Sequence, residues 1–211
     1  LAHRGLGLGQ HWYEADRSSA GLAPRAAAHA GPVVQVYAAR AFSWRGVLAV
    51  HTWIAAKPEN AARYEVYQVT RWSRAPVSRT AAPDRAWFGS EPRLLADLRG
   101  ETAAALVPAL ERAAARYPYR GRYRLWPGPN SNTFTAWLVR EVPGLHVELP
   151  PTAIGKDYLG TWLAPMPSAT GHQLSLGGLL GVGAARAEGL ELNVLGLVFG
   201  IDFEEAAIKL P

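Results

Sequence analysis

Two residues in this sequence have the types that acyl transfer requires, a serine nucleophile and a histidine base. Ser131 follows the segment Pro127, Gly128 and Pro129, which can continue neither a helix nor a strand ladder, so the chain turns there. Apolar residues then recur at helical spacing and predict an amphipathic helix: Phe134, Trp137, Leu138 and Val142. Ser131 would therefore lie in the first helical turn, where unpaired N–H groups and the helix dipole favour a nucleophile. Serine is also a common helix cap, so both roles stay open.

His51 is the candidate general base, because histidine accepts a proton near neutral pH. The alternative is a core histidine, since the surrounding segment VLAVHTWIA is apolar and a buried imidazole needs a partner. Glu65 and Gln68, on the next predicted strand, are equal candidates for the group that orients the base. They lie on opposite faces of that strand, and the sequence does not choose between the faces.

The oxyanion of an acyl-transfer site needs hydrogen-bond donors. The backbone N–H groups of Ser131 and Asn132 and the side-chain amide of Asn130 are the candidates, although both asparagines could instead serve the turn. Trp126 belongs to an aromatic setting that suits either a core or an acyl pocket. Lys156 and Asp157 form a further polar pair, for which an exposed or half-buried ion pair holding the loop is favoured over a Ser-Lys catalytic pair.

The elements that would position these residues alternate between strands and helices. Apolar runs at 33–39, 47–55 and 64–70 predict three consecutive antiparallel strands, and 71–83 predicts a loop or an irregular edge. Capping and turn residues predict a short helix over Glu91–Leu98 and an alanine-rich helix over Glu101–Arg116, which Pro108 would kink or divide. The chain from His172 onward, rich in Leu and Gly, predicts two or three more strands. Residues 1–30 predict an extended arm that Trp12 and Tyr13 pin to the domain.

The segments PGPNSNTF and LPPTAIGKDYLG resemble an uncharacterised bacterial family, a domain of unknown function, over Val33 to the C-terminus. A second resemblance is to the circularly permuted papain-like hydrolases and acyltransferases, which are NlpC-like and include the lecithin:retinol acyltransferase group. In that group a histidine on an early strand precedes a cysteine at a helix start. His51 matches the histidine, and Ser131, between Asn130 and Asn132, takes the place of the cysteine.

These patterns together predict an α+β fold. Residues 1–30 form the arm, and residues 31–160 form a permuted papain-like core of antiparallel strands packed on an N-capped helix. Residues 161–211 form a Leu/Gly-rich β extension of the same domain.

Composition restricts the function classes. The 211 residues are 49% hydrophobic and contain no cysteine, which excludes disulfides and thiol chemistry. The net charge of +5 is scattered arginine, which favours a mixed solvated surface over a nucleic-acid partner. No metal-ligand motif is present, and no cofactor is expected. The resemblance to the uncharacterised bacterial family implies an upstream hydrophobic segment, and hence membrane association in the bacterial cell envelope.

Two functions stay open at this point. The first is an amide or ester hydrolase, or an acyltransferase, that uses Ser131 and His51. The resemblance implies cell-wall peptides or lipid acyl groups as its substrates. The second is a catalytically silent ligand-binding or scaffold domain of the cell envelope.

Overall fold

The computed structural model describes residues 11–73 and 75–211, and its α+β fold confirms the predicted class. Within these residues, two α-helices accompany two antiparallel sheets. The described residues group into two compact units. The first comprises residues up to Gln68 together with Val77–Pro108, and the second comprises Val69–Pro76 and Ala109–Pro211.

The first unit is built on a five-stranded sheet whose strand order is β4-β3-β2-β1-β5. Its strands are β1 Val33–Arg40, β2 Val50–Lys57, β3 Tyr64–Tyr67, β4 Val77–Thr80 and β5 Arg93–Arg99. The pairing of β1 with β2 and of β2 with β3 is antiparallel, which confirms the predicted meander. Strand β2 is buried over almost its whole length, as its continuous apolar run indicates. For residues 71–83 the sequence predicts either a loop or an irregular edge. The structure has β4 in this segment, at one edge of the sheet.

The helix predicted over Glu91–Leu98 is wrong, because this segment contains strand β5. Ala96 and Leu98 alternate with Asp97 and Arg99, which is the period of a strand, and the register with β1 shifts where Leu95 breaks the alternation. β5 pairs antiparallel with β1 and supplies partners for the backbone groups along that edge. A helix of two turns has little stability of its own, so sheet pairing prevails over the local cap signal.

The arm is held to the first unit by a carboxylate rather than by its aromatic pair. Trp12 and Tyr13 are exposed, so their predicted anchoring role is wrong. Asp84 instead accepts hydrogen bonds from Ser19 Oγ at 2.7 Å and from the Leu22 backbone N–H at 2.6 Å. Residues 1–10 of the predicted arm lie outside the described residues.

Both predicted long helices are present. Helix α1, Gly100–Ala115, contains Pro108 and continues through it without division. Helix α2, Ser131–Glu141, begins directly after the elbow and ends with Val142 as its C-cap, before Pro143. Its predicted packing on the strands of the first unit stays a prediction.

The second unit contains a six-stranded antiparallel sheet in the order β11-β10-β9-β8-β7-β6. Its strands are β6 Leu163–Pro165, β7 Gly171–Leu176, β8 Leu180–Ala185, β9 Gly189–Val194, β10 Leu197–Asp202 and β11 Ala207–Lys209. The prediction of two or three strands from His172 onward was therefore too low, and Gly181, Gly183 and Gly200 lie within short paired strands. Along β9 the buried and exposed positions alternate, with Glu191 and Asn193 inward and Leu190 and Leu192 outward.

Candidate functional site

The N-terminus of helix α2 is closed by a complete capping box. Asn130 Oδ1 accepts hydrogen bonds from the backbone N–H groups of Asn132 at 2.9 Å and Thr133 at 3.2 Å. The Thr133 hydroxyl in turn accepts from the Asn130 backbone N–H at 3.1 Å. The sequence order of these residue types makes this the expected local structure, because a side-chain oxygen at the N-cap satisfies the first unpaired N–H groups.

The same residues bind the loop that follows the helix. Asn130 Nδ2 donates to the carbonyl oxygens of Leu125 at 3.1 Å and Ile154 at 3.0 Å. Asn132 Nδ2 donates to the Ile154 carbonyl oxygen at 2.8 Å, and the Thr133 hydroxyl donates to the Gly155 carbonyl oxygen at 2.8 Å. The two segments PGPNSNTF and LPPTAIGKDYLG are therefore parts of one hydrogen-bonded joint.

Ser131 is buried inside this joint, with 4% of its surface exposed. Its hydroxyl makes no hydrogen bond within the part of the chain that the structure describes. Of the predicted oxyanion donors, the Asn132 N–H is engaged by Asn130 Oδ1, and the Asn130 amide is engaged by two carbonyl oxygens.

His51 is also buried, with 4% exposed, and lies in β2 of the first unit. Its ring stacks on Trp87 with centroids 3.6 Å apart and planes within 5°. Burial lowers the pKa of His51 from 6.5 to about 4, and the hydrogen bond with Gln68 opposes this shift only in part. The imidazole is therefore neutral at physiological pH.

The structure distinguishes the two candidate orienting groups. Gln68 Oε1 lies 3.1 Å from His51 Nε2, so with the carbonyl oxygen as acceptor Nε2 carries the proton and Nδ1 does not. Glu65 instead accepts from the Tyr67 hydroxyl at 3.0 Å and from Arg79 Nη2 at 3.0 Å. Gln68 is thus brought to His51, and Glu65 is not.

Trp126 has a structural contact of its own. Its indole Nε1 donates to the Leu195 carbonyl oxygen at 2.7 Å, and about half of the side chain is exposed. The indole therefore fixes the elbow to the β9–β10 turn.

Ser131 belongs to the second unit and His51 to the first. The proposed catalytic pair, with its third member, therefore stays a prediction.

A buried charge cluster in the second unit was only half predicted. Lys156 Nζ forms an ion pair with Glu191 and lies 3.7 Å from Asp157 Oδ1, and all three side chains are buried. Burial lowers the pKa of Lys156, but the two carboxylates outweigh this effect and the net shift is upward. Asn193 Nδ2 donates to Asp157 Oδ2 at 2.9 Å. Lys156 and Asp157 are thus paired, but both are buried rather than exposed or half-buried, and Glu191 is the nearer partner of Lys156.

Glu191 and Asn193 escaped notice because strand alternation reveals two faces without telling which is inward. Glu191 stands between Leu190 and Leu192, and Asn193 between Leu192 and Val194, so the sequence places both polar residues on one face of the strand.

Residues 11–73 and 75–211 contain no group of three or more His, Asp or Glu side chains that could hold a metal ion. Within the same ranges no helix has both the length and the apolar character needed to cross a bilayer.

The fold and the site define an α+β protein with two antiparallel sheets, in which a capped helix is joined to a loop. Residues 31–158 match the model of the family described as "Protein of unknown function (DUF3750)", and the chain belongs to that family. No curated protein and no solved structure matches it significantly. The permuted papain-like topology therefore stays a prediction.

Proposed function

We propose that this chain is a non-catalytic scaffold domain in which the residues around Ser131 hold a loop rather than attack a substrate. The observation that carries the proposal is the full use of Asn130. Its oxygen accepts from two helix N–H groups, and its nitrogen donates to two loop carbonyl oxygens. An acyl-transfer site needs donors left available for a developing oxyanion. Here two of the three predicted donors, the Asn132 N–H and the Asn130 amide, are already engaged in structure.

The state of His51 supports the same conclusion. A serine hydroxyl has a pKa far above neutrality and needs a strong proton acceptor within reach. Burial holds the pKa of His51 at about 4, which makes the neutral imidazole a weak acceptor. Stacking on Trp87 and hydrogen bonding to Gln68 are what a satisfied core histidine needs.

One observation favours a second candidate, the serine-dependent hydrolase or acyltransferase. The His51–Gln68 hydrogen bond leaves Nδ1 unprotonated, which is how an orienting amide prepares a base. In this candidate Ser131 is the nucleophile, and the resemblance stated above supplies cell-wall peptides or lipid acyl groups as substrates.

Location and tethering rest on the resemblance to the uncharacterised bacterial family alone. We propose that the scaffold lies in the bacterial cell envelope and associates with the membrane through an upstream hydrophobic segment. Detection of the full-length product in membrane fractions is the corresponding observation.

Labelling with a fluorophosphonate, read by intact mass, separates the two candidates. The scaffold proposal expects no adduct on the wild-type chain, as on S131A. The matched control is S18A, which removes an exposed serine hydroxyl that donates a hydrogen bond to Asp16. An adduct that forms on wild type and S18A but is lost in S131A would overturn the scaffold proposal in favour of the hydrolase.

A further inference from the structure

The six-stranded sheet of the second unit exposes its apolar side chains and buries its polar ones. The polar side chains Gln173, Ser175, Glu191 and Asn193 are buried. Eleven large apolar side chains on the same strands are 37–77% exposed, and they define what we name the apolar sheet face: Leu163, Leu174, Leu176, Leu180, Val182, Leu190, Leu192, Val194, Phe199, Ile201 and Ile208. This arrangement reverses the usual pattern of a one-sided sheet, whose outward positions are polar.

Strand register makes the apolar sheet face continuous. One row of paired positions runs from Leu163 through Leu174, Val182 and Leu192 to Phe199. The neighbouring rows repeat the pattern, with Leu180 opposite Val194 and Ile201 opposite both Leu190 and Ile208. Because paired side chains on one face lie about 5 Å apart, these residues form one patch.

The patch is larger than a monomer normally leaves exposed. With about half of each side chain exposed, the eleven residues present roughly 1,000 Å² of apolar surface, against about 300–600 Å² for the largest patch on a typical monomer. A stable protein interface needs about 800 Å² from each partner. The apolar sheet face alone meets that requirement.

Charge favours a protein over a lipid surface as the occupant. Residues 161–211 contain two basic side chains, Arg186 and Lys209, and five acidic ones, a net charge of −3. Glu188, Glu191 and Asp202 are buried, so the exposed charges of this segment are mainly Arg186, Glu204 and Glu205. This segment therefore offers no exposed basic cluster of the kind that binds anionic lipid. The outward positions of the described strands in this register carry no Lys, Arg, Asp or Glu, and His172 is the polar residue among them. An uncharged apolar face is complementary to itself.

We propose that two copies of this chain associate through the apolar sheet face, sheet against sheet, about a twofold axis. Two such faces pack about 10 Å apart with interdigitating side chains, and the twofold arrangement closes the assembly at a dimer. The inference rests on the proposed scaffold function, because it takes the partner of the scaffold to be a second copy of the chain. Its test measures mass rather than serine labelling, so each proposal can fail alone.

The test is the molar mass of the full chain in solution by light scattering at micromolar concentration. The proposal expects twice the 22.8 kDa of one chain. V182K places a charge at the centre of the face and should weaken association at least about 100-fold. V47K is the matched control, because Val47 has nearly the same exposure, 55% against 53%, and lies in the first unit.

A cysteine variant keeps the test valid if V182K fails to fold. The chain contains no cysteine, so V182C and V47C each carry a single thiol. A short bis-maleimide should cross-link V182C into covalent dimers and leave V47C monomeric. A monomeric wild-type chain would overturn the proposal, and so would equal cross-linking of both variants. A monomer that co-floats with vesicles of zwitterionic or anionic lipid would overturn it in favour of a lipid occupant.

Discussion

Asn130 Nδ2 donates a hydrogen bond to the carbonyl oxygen of Ile154 at 3.0 Å and thereby joins the start of helix α2 to a loop 24 residues later. Gly155, the next residue, takes φ +97° and lies so close that a Cβ atom there would stand 2.5 Å from Asn130 Nδ2. The joint therefore depends on an asparagine at one position and a glycine at the other.

Replacing Gly155 by alanine tests how closely the joint is packed. G155A should lower the free energy of unfolding by roughly 2–3 kcal/mol, since it adds both a left-handed backbone penalty and a steric overlap. The matched control is G121A, where φ is +72° but the added Cβ meets nothing within 4 Å. G121A should lose only about 1 kcal/mol. Urea denaturation measures both, and equal losses would contradict the close packing.

The buried histidine makes a pH-dependent contribution to stability. Folded His51 has a pKa of about 4 against 6.5 for the free side chain, so between these values the unfolded chain binds a proton that the folded chain does not. Its contribution is present above pH 6.5 and is lost as the pH falls to 4, by roughly 3 kcal/mol in total. Compared with wild type, H51Q should therefore show a flatter decline in unfolding free energy across this window. Parallel pH profiles for the two chains would show that His51 titrates normally.

The Lys156–Glu191 pair tests the buried charge cluster. K156M leaves two buried carboxylates without their nearest cation and should lower the free energy of unfolding by roughly 3 kcal/mol. The double variant K156M/E191L should recover much of this loss, because it removes the uncompensated charge on Glu191.

The exposed pair Arg186–Glu204 in the same unit is the control for that experiment. R186M should change the unfolding free energy by less than about 0.5 kcal/mol. If K156M were as mild as R186M, the cluster would not be the structural support that its burial implies.

Local signals predicted more of this chain than long-range ones. The cap at Asn130, the limits of α2 and the β1–β3 meander follow from residues adjacent in sequence. Strand β5 was mistaken for a helix because Ser90 and Pro92 are genuine helix-start signals, whereas the need of β1 for an edge partner is visible only in the fold.

Orientation was the second quantity that the sequence could not supply. Gln68 and Glu65 were equal candidates until the structure gave one to His51 and the other to Arg79. In the same way, LELNV predicts a strand without telling which face is buried. The polar face is the buried one because Lys156 donates a hydrogen bond to Glu191 there.

The most direct test of the central claim is the unfolding free energy of N130A and S131A in one urea series. N130A removes the cap and two loop hydrogen bonds and should lose about 2–3 kcal/mol. S131A removes a hydroxyl that makes no hydrogen bond with the described residues, so its effect should stay within about 0.5 kcal/mol. The opposite result would be a near-neutral N130A together with an S131A that gains more than about 1 kcal/mol, as replacing a reactive residue often does. That result would contradict the scaffold account and indicate that Ser131 is kept for chemistry.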